Sequence, residues 1–110
     1  NFDFATTHSA GFFIKKNKLL HIGKFNTKYK ISADYDIYYK AILINKLKGD
    51  STSKNNLIGI VQSGGYSSKF SFFQHLLEET KIRLNNNQNV IFISIIFLNA
   101  ILKYFIKKLF

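Results

Sequence analysis

The chain has no cysteine and no methionine, only six acidic residues and a single arginine in 110 positions. Without cysteine there is no disulfide framework and no thiolate metal site, and compartment stays open, since cytosolic proteins also manage without thiols. The missing methionine, even at position 1, and the opening Asn1-Phe2-Asp3-Phe4 lead us to expect a piece of a longer polypeptide. The shortage of acid leaves a formal net charge of +10. Such an excess invites a nucleic acid or an anionic membrane as partner. A nucleic-acid groove, however, clusters its cations with stacking aromatics and favours arginine. Here the lysines are scattered, and the crowding of Lys, Asn, Ile, Phe and Tyr follows the codons of an AT-rich genome. The sequence therefore speaks against a nucleic-acid partner and for a solvated lysine surface. What is present suffices for one folded domain: hydrophobic residues make up 46% and aromatics 16%, so composition does not place the chain among disordered proteins.

Along the chain, Ala10-Gly11-Phe12-Phe13-Ile14 reads as a buried strand from its aromatic and β-branched character. A short helix follows over 15–22, with Leu19, Leu20 and Ile22 facing inward and Gly23 stopping it. Ser32 has the position of an N-cap, and Asp34 and Asp36 fall in the first turn of the next helix, where negative charge complements the dipole. That helix is expected to run to about Lys48, with Ile37, Ala41, Ile44 and Lys48 in one row and Gly49 as its stop. Leu57-Ile58-Gly59-Ile60-Val61 reads as a second strand, apolar enough to be covered on both faces. After the turn Gln62–Ser68, a helix is expected over about 69–85. Ser71 and Gln74 have capping-box spacing, Phe73, Leu76, Leu77, Thr80 and Leu84 form its apolar stripe, and Glu79 and Arg83 form an i, i+4 pair. Val90 to Phe110 reads as a strongly apolar helix. Its longest apolar stretch, about 17 residues interrupted by Asn99 and Lys103, is at the lower edge for a bilayer span. We expect it to lie on a membrane surface or against a further part of the protein.

The order of features resembles the C-terminal half of a family 2 (GT-A fold) bacterial glycosyltransferase, the enzymes that assemble surface polysaccharides. The residues carrying the resemblance are His8, Phe12-Phe13-Ile14-Lys15-Lys16, Gly23-Lys24-Phe25, Ala33-Asp34-Tyr35-Asp36, Gly64-Gly65-Tyr66-Ser67 and Glu79, covering about residues 5 to 82. No one of them is specific alone; the resemblance rests on six in the right order and spacing. The resemblance implies an α/β fold: a partial GT-A-type domain over 1–86, its acceptor-side half, with two or more short strands and about four helices. An apolar amphipathic helix over 87–110 would follow. It further implies a missing N-terminal nucleotide-binding half, and a divalent metal (Mg or Mn) held there in the full-length enzyme. Asp34-Tyr35-Asp36 spells Asp-x-Asp, but it opens a helix instead of ending a hydrophobic strand. It is therefore read as the family's later acidic motif and not its metal motif, so no metal ligand is expected within these residues.

By the same resemblance, Asp34 is the general base of an inverting transfer. It takes the proton of an acceptor hydroxyl as that oxygen attacks the anomeric carbon of a nucleotide-sugar donor. The acceptor would be a saccharide or lipid-linked, and the setting cytoplasmic, peripheral on the inner membrane face. His8, Asp36, Gly64, Gly65 and Ser67 are the candidate acceptor- or donor-binding residues. Plainer readings stand beside these. Asp34 and Asp36 are also ordinary first-turn acids, His8 a loop histidine, and Gly64-Gly65 a tight turn with Ser67 or Ser68 as a cap. His21 and His75 fall within helical patterns, and three histidines without close spacing make no metal site. The competing function is a non-catalytic, basic, membrane-associated module, motivated by the lysine excess and the C-terminal helix.

Overall fold

The computed structural model describes residues 9–53 and 55–110. Expectations for residues 1–8, including the role of His8, lie outside the described residues. In order, the elements are a 3-10 turn at Ser9–Gly11, α1 (Lys16–Ile22), α2 (Ala33–Tyr38), a π-helical segment (Tyr39–Ile44), a second 3-10 turn at Tyr66–Lys69, α3 (Phe72–Asn85) and α4 (Val90–Leu109). There is no β-strand among the described residues, which corrects the expected α/β class. The reason is lateral pairing. A strand exists only where a neighbour takes its N–H and C=O groups, and neither apolar run meets one. Phe12–Ile14 leaves the first 3-10 turn without regular secondary structure. Leu57–Val61, expected to be covered on both faces, lies open, with Leu57 78% and Ile60 83% exposed.

The helices are set by local signals. α1 stops at Gly23, whose φ of +85° is the left-handed backbone that glycine adopts without steric cost. α3 begins with the capping box its spacing announces: Ser71 Oγ accepts from Gln74 N at 3.3 Å, and Gln74 Oε1 accepts from Ser71 N at 2.7 Å. Asn89 caps α4 through Oδ1, which accepts from Ile91 N and Phe92 N.

α2 departs from the expected long helix. After Tyr38 it widens into π-helical turns and leaves helical geometry at Asn45, whose N–H and Nδ2 both reach Lys40 O. The wider turn shifts each later side chain around the axis. Ile37 and Ala41 are buried as the row requires, but Ile44 is 49% exposed. The chain turns at Lys46 (φ +49°), before Gly49 is reached.

The α2–π segment is the centre of the packing. On one side Ile22, Ile37 and Ala41 cluster with Phe12, Ile14, Leu19 and Leu47. On the other, Tyr29, Tyr39 and Ile82 cluster with Ala33, Tyr35 and Leu43. Of the expected α3 stripe, Leu76 is buried, whereas Phe73, Leu77 and Leu84 are exposed. The face that α3 turns to α2 carries the fully buried Ile82 together with Glu78 and Asn85. α4 runs back along α3 and is fastened by the Tyr104 ring stacked on Phe72 (centroids 4.4 Å apart, planes at 9°) and edge-on to Phe73.

Candidate functional site

The start of α2 carries both aspartates, and it is not held as the sequence suggests. The Ser32 side chain makes no cap hydrogen bond. Instead, the chain entering the helix is held from another helix. The Glu78 carboxylate of α3 accepts three successive backbone N–H groups, from Lys30 (Oε1, 2.9 Å), Ile31 (Oε2, 2.7 Å) and Ser32 (Oε2, 2.7 Å). An anion at a helix N-terminus meets both the dipole and unsatisfied donors. Burial alone would push the Glu78 carboxyl up; the three N–H donors outweigh it and hold it below its ordinary value.

With the helix start fixed in this way, the two aspartates part. Asp36 is 1% exposed. Its Oδ2 takes the Lys40 ammonium at 2.6 Å one turn on, and its Oδ1 accepts from Asn86 Nδ2 at 3.3 Å, at the end of α3. That is a tie between helices. Asp34 points the other way. It is partly exposed, its Oδ1 accepts from the neighbouring Tyr35 N at 2.9 Å, and it lies in the wall of a cavity of about 270 Å³. The other lining residues include Phe12, Phe13, Phe25, Ile14 and Tyr38.

Ser9 and Tyr38 line that cavity as well, and Tyr38 is the buried one of the two. Its side chain is 4% exposed, the Phe12 ring meets it edge-on at 4.6 Å, and its hydroxyl has no hydrogen-bond partner among the described residues. Burial raises the Tyr38 phenol above its ordinary value and the nearby Asp34 charge raises it further, so it stays a neutral donor at physiological pH. A buried hydroxyl without a partner carries a desolvation cost. In the sequence Tyr38 is one of several tyrosines near the start of α2. Its hydroxyl could not be singled out there, because its isolation comes from the surrounding aromatic rings. The Phe12-Phe13 run is the one sequence signal of this wall, and it is read there as a strand.

The other candidates are not gathered around Asp34. Gly64, Gly65 and Ser67 are exposed and do not line the cavity. Gly64 needs its glycine for φ +88°. A Cβ at Gly64 or Gly65 would meet nothing within 4 Å, so neither residue serves a close approach. Ser67 O lies 3.0 Å from His75 Nε2, and Ser68 Oγ donates to Gly65 O, so the loop is folded onto the start of α3. Arg83 is buried, with its guanidinium over the rings of Tyr35 and Tyr39 and Nη1 donating to Gln88 Oε1. Burial pushes both phenols up against the lowering effect of Arg83.

The Asp34–Asp36 pair does not fit a divalent cation, since Asp36 already holds an ammonium and the two carboxylates serve different sides of α2. Among the described residues no group of three His, Asp or Glu side chains could hold a metal ion. The arrangement offers one carboxylate at a cavity of about 270 Å³ lined mainly by aromatic side chains. No family model, no curated protein and no solved structure matches the chain.

Proposed function

We propose that these residues form the acceptor-binding part of an inverting glycosyltransferase, which moves a sugar from a nucleotide-sugar donor to a saccharide or lipid-linked acceptor in surface polysaccharide synthesis. The observation that carries the reading is the separation of the two aspartates: Asp36 is committed to Lys40 and Asn86, while Asp34 faces a cavity lined mainly by aromatic side chains. The reading concerns the activity and not a fold class. The donor site, with the divalent ion such enzymes use to carry the diphosphate charge, would lie outside these residues.

In this reading, the aromatic rings take the C–H face of a sugar ring. Asp34 accepts the proton of the attacking hydroxyl. The new C–O bond forms at the anomeric carbon as the bond to the nucleoside diphosphate breaks and its electron pair leaves with the phosphate. A positioned carboxylate base contributes about 10²–10⁴-fold to such a step. The test is Asp34→Asn in the full natural polypeptide. Transfer should fall by at least about 10²-fold, with the acceptor KM little changed. Near-normal turnover would sink the assignment.

A further inference from the structure

α4 has two apolar faces, and only one is used. At 100° per residue, Ile93 and Tyr104 lie together on the face that packs on α3. On the opposite face Ile91, Ile95, Leu98, Leu102, Phe105 and Leu109 fall within an arc of about 80°, and all six are exposed. The stripe runs the whole helix, about 30 Å at 1.5 Å per residue. α4 contains no acid. Lys103, Lys107 and Lys108 crowd its C-terminal end, and Lys69 closes the 3-10 turn just before the α3 residues that Tyr104 packs on. By length and composition alone α4 could cross a bilayer.

Its fastening to α3 argues otherwise. Tyr104, deep in the C-terminal half of α4, is stacked on Phe72 at the start of α3, so the two helices form an antiparallel hairpin. A spanning α4 would carry α3 to bilayer depth, with Glu78, Glu79, Lys81 and Arg83 on it, and ionised groups at that depth are costly. Glu78 is moreover tied to the backbone of Lys30–Ser32.

We infer that α4 lies in the plane of an anionic lipid surface, with the Ile91–Leu109 stripe in the acyl boundary, α3 on the water side and the lysines at the headgroups. An apolar stripe backed by cations and free of acid is the pattern of an interfacial helix, and a chain of net charge +10 is attracted by such a surface before contact. The inference stands independently of the sugar-transfer reading.

The chain contains no tryptophan, so a single introduced one is a clean reporter. Ile91→Trp, Leu98→Trp and Leu109→Trp are each bound to phosphatidylcholine vesicles with about one third phosphatidylglycerol and quenched with lipids brominated at different depths. All three should report the same shallow depth. Binding to purely neutral vesicles should be weaker on the order of a hundredfold, about fivefold for each of three lysines near the surface. The double variant Leu98→Ser/Leu102→Ser, at open positions and checked for retained helicity, should bind at least tenfold less. Leu98→Trp at the bilayer centre with the other two near the two surfaces would overturn the inference in favour of a span. Equal binding to neutral and anionic vesicles would remove its electrostatic half. Absence of vesicle binding, including where the same stripe mediates self-association, would overturn it.

Discussion

Removing Glu78 should loosen the start of α2, and the magnitude follows from its three contacts. A hydrogen bond to a charged group contributes about 1.5–3 kcal/mol net. The Lys30 donor is exposed, so water replaces the carboxylate there at little cost. The Ile31 and Ser32 donors are partly buried and share Oε2, which limits what the second adds. The sum for Glu78→Ala at pH 7 is about 3 kcal/mol, a large part of the stability of a domain this size. Glu78→Gln should cost less, about 1–2 kcal/mol. Its amide oxygen can still serve Ile31 and Ser32, but its NH2 then faces the Lys30 N–H, donor against donor. The pH dependence has a definite sign. The folded carboxyl is held below its unfolded value, so its contribution is fully present above the unfolded value and is lost as pH falls through the folded one. Urea unfolding followed by far-UV circular dichroism between pH 7 and pH 2 measures this. The gap between wild type and Glu78→Ala should be widest near neutrality and close in acid, while Asp50→Asn, in an exposed loop, should change little. A Glu78→Ala effect below about 0.5 kcal/mol at pH 7, or a gap that does not narrow in acid, would refute the reasoning.

At the buried ion pair, Lys40→Ala should cost about 3–5 kcal/mol in the same unfolding assay. It strands the Asp36 charge, and Asp36→Asn should cost less. Tyr38→Phe removes a hydroxyl without a protein partner, so it should leave stability unchanged or raise it by up to about 1 kcal/mol. Tyr104→Ala removes the ring stacked on Phe72 and should cost about 2–4 kcal/mol. Hydrogen exchange should then quicken in α4 well before α2.

The start of α2 shows how far local sequence reaches. Capping chemistry is local, so Ser71 with Gln74 was legible from its spacing and Gly23 from its position after an apolar turn. Ser32 carries the same kind of signal, yet its hydroxyl caps nothing: Tyr35 N, the donor three residues on, goes to Asp34 Oδ1, and the chain entering α2 is held by Glu78, 46 residues away. No window around Ser32 contains that carboxylate. The two apolar runs fail for a related reason: residue type makes a strand permissible, but only a partner edge makes one.

The two aspartates divide along the same line. By itself the sequence determined that a basic chain places two of its few acids at one helix start, that an apolar helix closes the chain, and where α1, α3 and α4 begin or end. Each of these depends on neighbours within about four residues or on composition. Only the tertiary structure decided which carboxylate is engaged and which is open. Asp36 meets Asn86 across 50 residues and is buried with Lys40, whereas Asp34 is left facing the cavity of Phe12, Phe25 and Tyr38. Two identical side chains two residues apart point to opposite sides of a helix, and what waits on each side is fixed by packing between segments distant in sequence.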